Sequence, residues 1–244
     1  MNANSQSERQ PHAVLDLESR RLKALKIERL LDLEHRPGPI RLLEIGTGSG
    51  GIAHYFGIHP TRRYQVDAVD VHDNRLIAEG YRFQQVADTH LPFADESFDV
   101  VITNHVIEHV GDDSAQRHHL REVRRVMRTT GVGYLAVPNR WRLVEPHFRL
   151  PLLSWLPKSL SDSYVRMFRK GTHYDCKPLS IGQLEALLAA AGFSFQNLCI
   201  PAVRATLAIE KTKSCMQRWI AYVPDAAWNR MLPLIPTLIY RLQR

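Results

Sequence analysis

Two spacings of apolar residues alternate along the chain, one typical of helices and one typical of buried strands. Over residues 13–36 the apolar positions recur at helical spacing and predict an amphipathic N-terminal helix that ends before Pro37-Gly38-Pro39. The positions in this pattern are Leu15, Leu22, Leu25, Leu30 and Leu33. After the prolines the pattern changes to short apolar runs, which predict strands.

Strands and helices are then predicted in regular alternation. The predicted strands are RLLEIG, YQVDAVD (64–70), RFQQVAD (82–88), SFDVVIT (97–103) and GVGYLAVP (131–138). The predicted helices are GGIAHYFG, a segment that begins at NRLIAEG, and HHLREVRRVMR (118–128). Alternation of this kind predicts an α/β fold, with a doubly wound parallel sheet covered by helices on both faces.

The alternation is interrupted after Pro138. Residues 139–179 are rich in proline, arginine and aromatic residues, and we interpret them as a helical insertion that covers the substrate site. A helix, LSIGQLEALLAAAG, and a sixth strand, FSFQNLCI, follow; the C-terminal segment contains an amphipathic helix and a last strand, PTLIYRLQ. We expect a single domain over residues 1–244, with a cofactor-binding core at 40–138 and the C-terminal elements at 180–244.

Composition narrows the class of protein. Hydrophobic residues make up 44% and charged residues 23% of the 244 residues, as in globular proteins. The polar N-terminus lacks the apolar core of a signal peptide, and no apolar run is long enough to span a bilayer, so a cytoplasmic protein is expected. Three cysteines without a C-x-x-C pair argue against a disulfide framework or a zinc cluster.

Charge is distributed unevenly between the two halves. The net charge is +7, but residues 1–116 carry −6 and residues 117–244 carry +13. The basic half is either a solvated surface or a face for an anionic substrate, nucleic acid or an anionic membrane surface.

The segment LLEIGTGSGG combines a strand end, a glycine-rich turn and the start of a helix. Gly46, Gly48 and Gly51 satisfy G-x-G-x-x-G, a pattern that also occurs in dinucleotide-binding enzymes and therefore leaves a nicotinamide cofactor open. Glu44 precedes the glycines at the strand end. A carboxylate there would repel a pyrophosphate and attract an ammonium or sulfonium group.

Two further acids end predicted strands. Asp70 lies 24 residues after Gly46, where it can accept hydrogen bonds from ribose hydroxyls. Asp88 ends the third strand, where it can accept a hydrogen bond from an adenine amine. Together with Glu44, these positions favour an adenosyl cofactor without a pyrophosphate.

The motifs LLEIGTGSGG, VDAVD, VADTHLPFADESFDVVITNHVIEHV and REVRRVMRTTGVGYLAVPN resemble those of the class I S-adenosylmethionine-dependent methyltransferases. The resemblance covers about residues 40–138. It implies a Rossmann-like, seven-stranded sheet with one reversed strand, which PTLIYRLQ would supply. The cofactor-binding residues it implies are Glu44, Gly46, Thr47, Gly48 and Gly50 at the methionine side, Asp70 and Val71 at the ribose, Asp88 and Thr89 beside the adenine, and Asn104 at the sulfonium end.

The segment NHVIEHVGDD follows the fourth strand and contains His105, Glu108 and His109, which would share one face if the segment were helical. Three interpretations remain open: His105 or His109 is a general base, the three residues ligate a divalent metal, or the segment only shapes the loop. Ubiquinone-pathway O-methyltransferases and small-RNA 2′-O-methyltransferases carry E-x-x-E-H here, and His105 replaces the first glutamate. His118 and His119 are interpreted as a helix start.

The acceptor is expected to contact the insertion, since acceptor specificity usually lies after the fifth strand in the family that the chain resembles. Trp141, Arg142, Glu145 and His147 are the candidate substrate residues. The pattern E-P-H-x-x-L-P-x-x-x-W-L-P is similar to methyltransferases of bacterial cell-envelope polysaccharide and lipid-linked sugar pathways. That similarity favours a small-molecule or lipid-linked anionic acceptor and allows peripheral contact with the inner face of the membrane.

The leading hypothesis is therefore methyl transfer from S-adenosylmethionine, most simply to an oxygen of a small molecule, sugar or lipid-linked acceptor. The alternatives are RNA methylation, quinone-pathway methylation and a non-catalytic cofactor-binding protein. No N/D-P-P-Y signature of amino-directed enzymes is present, and no obligate protein partner is indicated.

Overall fold

The computed structural model describes residues 16–61, 63–145, 147–209, 224, 227–228, 230 and 232–244. The helices in this part of the chain are α1 (Leu17–Leu30), α2 (Gly51–Gly57), α3 (Asp113–Val126), α4 (Lys158–Met167), α5 (Ile181–Ala190) and α6 (Cys199–Ile209). The strands are β1 (Ile40–Ile45), β2 (Tyr64–Asp70), β3 (Arg82–Gln85), β4 (Phe98–Asn104), β5 (Met127–Pro138), β6 (Ser194–Asn197) and β7 (Thr237–Gln243).

These strands form one sheet in the order β3-β2-β1-β4-β5-β7-β6. Strands β1 to β5 are parallel, and β7 pairs antiparallel with both β5 and β6. The expected seven-stranded α/β sheet with one reversed strand is therefore confirmed. The strand order reverses between β1 and β4, which places a ligand crevice at the carboxyl ends of these two strands.

Helices cover both faces of the sheet because successive strand residues point to opposite sides. Leu43 and Val101 pack in the apolar layer beneath α3 and α5. Leu42 and Val100 pack in the layer beneath α1, α2 and α6. The insertion has a smaller apolar cluster of its own, formed by Phe148, Leu150, Leu153, Val165, Tyr174 and Cys176.

The N-terminal helix is shorter than predicted and turns a different face to the sheet. It ends at Leu30, and the chain then bends at Asp32, whose left-handed φ of 55° leads into a 3₁₀ helix at Leu33–His35. The buried positions are Ala24, Ile27 and Leu31, whereas Leu22, Leu25 and Leu30 are only half-buried. Leu15 lies outside the described residues.

The helix predicted from NRLIAEG does not form. The N–H groups of Leu76 and Ile77 both donate to the carbonyl of Ser49, at 3.0 and 3.4 Å, and the hydroxyl of Tyr81 donates to the carbonyl of Ile77 at 2.6 Å. Since these bonds tie the segment to the glycine-rich turn, tertiary contacts replace the hydrogen bonds that a helix would have made.

Other element bounds also differ from the prediction. β3 ends at Gln85, so Asp88 lies beyond the strand that it was predicted to end, and β5 begins at Met127. The third helix begins five residues earlier than HHLREVRRVMR, since Asp112 caps it by accepting from the N–H of Ala115 at 2.9 Å. The sixth strand ends at Asn197, because its side chain accepts from the N–H of Cys199 at 2.9 Å where α6 begins. The predicted C-terminal amphipathic helix lies mostly outside the described residues, and the predicted last strand is confirmed as β7.

Among the described helices, none combines the length and the apolar composition that crossing a bilayer requires.

Candidate functional site

The glycine-rich turn lies at the carboxyl end of β1, beside the ends of β2 and β4. Gly46, Gly48 and Gly50 adopt positive φ angles of 77°, 54° and 82°. A Cβ at Gly46 would stand 2.4 Å from a methyl carbon of Val106, and a Cβ at Gly50 would stand 2.3 Å from the carbonyl oxygen of Ile77. Glycine is therefore required at these two positions by both conformation and space.

The N–H groups of the turn are directed mainly at the protein itself. Those of Gly46 and Thr47 donate to the carbonyl of Val69, at 2.8 and 3.3 Å. That of Gly48 donates to Oδ2 of Asp70 at 2.8 Å. Because these donors are engaged, the turn does not offer a pyrophosphate the ring of N–H groups that dinucleotide-binding turns provide.

Glu44 occupies the place at the start of α2 that a phosphate would otherwise take. Its side chain is buried, and Oε2 accepts a hydrogen bond from the N–H of Ala53 at 2.9 Å. Burial raises the pKa of Glu44 to about 8, while the Ala53 hydrogen bond and the charge of Arg20 oppose that rise. An acidic group beneath the turn is consistent with a cationic or neutral ligand rather than a phosphate.

The two predicted adenosine-binding acids have different surroundings. Asp70 joins the glycine-rich turn to the end of β2, through Gly48 on one oxygen and the N–H of His72, at 3.3 Å, on the other. Asp88 is exposed and accepts from the N–H of His90 at 2.7 Å, which closes a local turn. Asp70 can still accept from a ribose hydroxyl, since a carboxylate has several lone pairs.

The remaining predicted adenosine-side residues lie along the same edge. Val71 is exposed, and its carbonyl accepts from Nε2 of Gln85 at 2.9 Å. The hydroxyl of Thr89 lies 2.7 Å from Nδ1 of His118. Within α3, His119 is buried and lies 3.1 Å from the hydroxyl of Thr103. The two histidines thus position neighbouring side chains and do not start the helix, contrary to the prediction.

Buried polar atoms near the turn indicate where a ligand would bind. Asn104, at the carboxyl end of β4, is 8% exposed, and its Oδ1 has no hydrogen-bond partner among the described residues. The hydroxyl of Ser49, in the glycine-rich turn, is buried and also lacks a partner there. Unpaired buried polar groups are costly. These two atoms fit a polar ligand at this end of the sheet.

His105, Glu108 and His109 do not lie on a helix. The segment forms a turn, in which His105 has a left-handed φ of 60° and the N–H of His109 donates to the carbonyl of Val106 at 2.8 Å. Nδ1 of His105 lies 3.2 Å from Oε1 of Glu108, which is completely buried. Nε2 of His109 lies 4.0 Å from the same oxygen. The two histidines thus flank one buried carboxylate.

Basic side chains from two elements surround His105. Burial and the positive charges of Lys23, Arg20, Arg142 and Lys26 lower the pKa of His105, so its imidazole is neutral near pH 7. Three of these residues come from α1, and Arg142 comes from the insertion. The α1 residues were not among the site residues predicted from the sequence. Their spacing along one helix face was visible, but no local signal showed that this face would meet the end of β4.

The four predicted substrate residues are not equivalent. Trp141 is partly exposed and packs edge-on against Trp155, with ring centroids 5.5 Å apart. Arg142 is half-buried, and its Nε donates to the carbonyl of Val144 at 2.7 Å. Glu145 is buried and accepts from the N–H of Phe148 at 2.7 Å, so one of its oxygens stabilises a turn of the insertion.

The ring of His147 packs against that of His109. Their ring centroids are 5.3 Å apart, and Nδ1 of His109 lies 3.7 Å from Sγ of Cys176. Sequence reasoning missed Cys176, because a single cysteine 67 residues from His109 gives no spacing signal.

A depression of about 320 Å³ lies elsewhere, along the edge of the sheet, with Arg41, Asp67, Arg82 and Phe93 among its lining residues. Arg41, Asp67 and Arg82 lie near the amino ends or the middle of β1, β2 and β3, and not at the carboxyl ends of β1 and β4. Ligands of open α/β sheets bind at the switch point, so the depression is not the candidate site.

Comparisons with known proteins agree with this geometry. Residues 43–135 match the family model described as "Methyltransferase domain". A curated relative, the ubiquinone biosynthesis O-methyltransferase of Azorhizobium caulinodans, is 27% identical over 170 residues, which cover 65% of this chain and 60% of the relative. The chain spans only 32% to 40% of the other curated relatives that it matches.

Solved structures show the same fold. An S-adenosylmethionine-dependent methyltransferase from Mesorhizobium loti is 14% identical, with a TM-score of 0.56 over 91% of this chain and 100% of that one. The [4+2]-cyclase SpnF is 16% identical, with a TM-score of 0.55 over 97% of this chain and 85% of that one. Since the fold is shared with a protein named as a cyclase, it does not by itself define a reaction.

The matched core, the curated relatives and the sheet order define the class of protein: a Rossmann-like α/β protein with a ligand site at the switch point. Its core, residues 43–135, matches a methyltransferase domain, and its fold is that of solved methyltransferase structures. The cofactor that the sequence motifs predict, S-adenosyl-L-methionine, is the one named for several solved structures with this fold. The buried polar atoms of Ser49 and Asn104 and the engaged N–H groups of the turn fit that cofactor better than a pyrophosphate.

Proposed function

We propose that this chain transfers the methyl group of S-adenosylmethionine to an oxygen of an anionic acceptor that carries an apolar tail. The observation that carries the proposal is the His105–Glu108 pair, which directly follows Asn104 at the carboxyl end of β4 and is surrounded by basic side chains. The match to a methyltransferase domain names neither the atom methylated nor the class of acceptor, and both are proposed here.

The cofactor would be held by residues of the turn and of neighbouring strand ends. The glycine-rich turn and Asn104 would contact the methionine part, Asp70 the ribose, and the segment Asp88–Thr89 the adenine. The cofactor supplies an activated methyl group with a good leaving group. The main task of the protein is therefore to align the acceptor oxygen, and orientation contributes up to about 7–11 kcal/mol in favourable cases.

The His105–Glu108 pair would remove the acceptor proton. In the tautomer that donates from Nδ1 to Oε1 of Glu108, Nε2 of His105 is an acceptor. A hydroxyl that attacks the methyl carbon would transfer its proton to this nitrogen, while the buried carboxylate stabilises the imidazolium that forms. The lowered pKa of His105 keeps the imidazole neutral in the resting protein, so that Nε2 can accept a proton. The same lowering makes this nitrogen a weak base, so the step depends on Glu108 to stabilise the imidazolium.

The basic side chains around His105 support an anionic acceptor. Nε of Arg20 is buried and has no hydrogen-bond partner among the described residues. Arg142 approaches from the insertion and is close enough to Glu108 and Glu145 for their charges to affect its pKa. A phosphate or carboxylate near the methyl-accepting hydroxyl would be attracted by these guanidinium groups.

The outer surface of the insertion supports an apolar tail. Leu143, Val144 and Leu152 are 63%, 50% and 44% exposed, and Trp155 lies beside them in the chain. Adjacent exposed apolar side chains mark lipid or ligand contacts more often than ordinary surface. The insertion would contact the tail or the membrane surface that holds it.

A quinone-type acceptor is a second candidate. The relative from Azorhizobium caulinodans is named for ubiquinone biosynthesis and for O-methyl transfer. A hydroxyaromatic ring with an apolar tail would use the same base and the same apolar surface. Methylation of such an acceptor would depend less on the basic side chains around His105. This difference distinguishes the two candidate acceptors.

The experiment supplies methyl-labelled S-adenosylmethionine with three acceptor preparations: polyprenyl-pyrophosphate-linked sugars, polyprenyl phenols and total RNA. We expect label in the first as a methyl ether, and a large loss of turnover in Glu108→Gln with unchanged cofactor affinity. Glu34→Gln, a change of an exposed glutamate, is the matched control. Label in the phenols would favour the quinone-type acceptor, and label in RNA, or on nitrogen or carbon, would contradict the proposal.

A further inference from the structure

Three side chains with metal-binding atoms converge between the turn after β4 and the insertion. They are His109, His147 and Cys176, whose nitrogen and sulfur ligand atoms all lie within 4.8 Å of one another. Within the described part of the chain, this is the one such group of histidine, cysteine and acidic side chains. The ligand atoms of the predicted set, His105, Glu108 and His109, do not form such a group among the described residues.

The backbone that carries the three residues is held in place by separate hydrogen bonds. The N–H of Lys177 donates to the carbonyl of Glu108 at 2.8 Å, which fixes the segment of Cys176 next to His109. Nε2 of Gln116 donates to the carbonyls of Ile107 and Lys177, at 3.1 and 3.3 Å. The convergence is therefore built into the backbone and does not depend on side-chain rotamers alone.

His147 reaches the group from the tip of a hairpin in the insertion. The hairpin is closed by a bridge between Val144 and Pro151 and by the N–H of Leu152, which donates to the carbonyl of Leu143 at 2.7 Å. Phe148, next to His147, packs against Tyr174 with ring centroids 5.6 Å apart. The apolar cluster of the insertion thus positions both His147 and Cys176.

The distances suit a tetrahedral ion. Metal–nitrogen bonds of about 2.0–2.1 Å and metal–sulfur bonds of about 2.3 Å place tetrahedral ligands roughly 3.5 Å apart. Nδ1 of His109 and Sγ of Cys176 are already 3.7 Å apart. A contraction of about 1 Å of the widest pair would complete the set.

The other nitrogen of His109 faces a carboxylate, as in many metal sites. Nε2 lies 4.0 Å from Oε1 of Glu108, so Nδ1 is the nitrogen directed at Cys176. Ligating histidines commonly direct their second nitrogen to a carboxylate, which fixes the tautomer and strengthens the metal bond.

We propose that His109, His147 and Cys176 bind one zinc ion, which links the insertion to the turn after β4. Imidazole and thiolate together favour zinc over magnesium or calcium. Three protein ligands leave a fourth position for water or for an oxygen of the acceptor, as in catalytic zinc sites. The C-x-x-C spacing that the sequence lacks is not needed, since each ligand comes from a different segment.

Binding would release a proton, which gives a second measurable signal. Coordination requires the thiolate, and the ion would displace the proton to solvent. One proton per bound zinc is expected.

The test measures metal binding directly and does not use methyl transfer, so it is independent of the proposed function. The full chain is purified without added chelator, its zinc content is measured, and the metal-free protein is titrated with Co²⁺ while absorption is recorded. We expect one equivalent of metal and a thiolate-to-cobalt charge-transfer band. Cys176→Ser should abolish the band, and His147→Ala should weaken zinc affinity by roughly tenfold to a hundredfold or more.

Cys199→Ser is the matched control, because Cys199 is also buried but lies at the start of α6, away from the group. Circular dichroism and thermal unfolding check that each variant folds. Absence of metal and of a cobalt band in the folded wild-type chain would overturn the proposal. So would a band that persists in Cys176→Ser, or one that is lost in Cys199→Ser.

Discussion

Oε2 of Glu44 lies 2.9 Å from the backbone nitrogen of Ala53, so the last acid of β1 caps the helix that follows the glycine-rich turn. In phosphate-binding turns this position at the helix start receives the phosphate of the ligand. Here the protein supplies its own acceptor, the buried carboxyl group of Glu44. That difference is the physical reason why the same G-x-G-x-x-G spacing is compatible with an amino-acid cofactor.

The first prediction concerns the pH dependence of stability. Because the pKa of Glu44 rises from 4.5 to about 8 on folding, the folded state keeps a proton that the unfolded state loses between these values. The free energy of unfolding should therefore fall as pH rises from about 5 to 8, by on the order of a few kcal/mol. Glu44→Gln keeps an acceptor for the N–H of Ala53 but does not titrate. The free energy of unfolding of this variant should therefore fall less over the same pH range.

Urea unfolding of both proteins at pH 5 and pH 8 measures the difference. Comparing the two proteins cancels the contributions of other titrating groups. Equal pH dependence in the wild type and in Glu44→Gln would show that the buried carboxyl does not have a raised pKa.

A second prediction concerns Asp70. Its carboxylate holds the N–H of Gly48 at 2.8 Å and is the predicted ribose contact. Asp70→Ala should lower the affinity for S-adenosylmethionine by roughly tenfold to a hundredfold, since a hydrogen bond to a charged group is worth about 1.5–3 kcal/mol. Asp70→Asn keeps one acceptor for Gly48 and should bind more tightly than Asp70→Ala.

Calorimetric titration of the three proteins with S-adenosylmethionine makes the comparison. Asp73→Asn, which changes an exposed acid three residues away, is the control. Unchanged affinity in Asp70→Ala would remove Asp70 from the cofactor site.

A third prediction uses the steric requirement at Gly50. In Gly50→Ala the new Cβ would lie 2.3 Å from the carbonyl oxygen of Ile77, at a φ of 82° that alanine rarely adopts. The turn must shift, so cofactor affinity and thermal stability should both fall, stability by about 1–3 kcal/mol. Gly182→Ala, where no atom lies within 4 Å of the new Cβ, should be neutral or slightly stabilising because α5 is helical there. A Gly50→Ala protein with wild-type affinity and melting temperature would show that the turn is adaptable.

The glycine-rich turn and the acids at the strand ends could be predicted from sequence because their signals are local. A strand, a glycine turn and a helix are contiguous, so the positions of Glu44, Gly46 and Asp70 follow from counting residues. The reversed strand β7 was predictable for a similar reason: PTLIYRLQ is a short apolar run that begins at a proline. The family resemblance supplied its direction.

Other features depended on contacts between distant segments. NRLIAEG has helical residues, but its N–H groups bond to Ser49, which no window of local sequence contains. The buried face of α1 was misassigned because Leu22 and Leu25 dominate the apolar pattern, whereas the residues buried against the sheet are Ala24 and Ile27. Cys176 is adjacent to His109 only in the folded chain.

A fourth prediction tests the anionic acceptor. Arg142 lies near His105 and Glu108, whereas Arg121 is exposed on α3. Arg142→Gln should raise the KM for an anionic acceptor by roughly tenfold or more, with little change in cofactor affinity, because it removes a charge-assisted contact. Arg121→Gln should leave both unchanged. Steady-state kinetics with the labelled acceptor provides the values, and an equal KM in both variants would contradict an anion contact at Arg142.

The last prediction concerns membrane contact by the insertion. Full burial of a leucine side chain is worth about 1.5–3 kcal/mol, so two leucines that enter a lipid interface together dominate the binding free energy. Leu143 and Leu152 face solvent on the hairpin that also carries the bridge of Val144 to Pro151. The double variant Leu143→Ser/Leu152→Ser should therefore lose at least about tenfold in affinity for vesicles with anionic lipids while keeping its melting temperature.

Ile58→Ser is the control, because it removes an equally exposed apolar side chain at the end of α2 and should bind vesicles as the wild type does. Vesicle sedimentation measures the affinities. Salt should weaken the binding of all three proteins, since basic residues share the attraction to anionic lipids. A wild-type chain that does not bind such vesicles, or an Ile58→Ser variant that loses as much as the double variant, would assign the exposed leucines a role other than membrane contact.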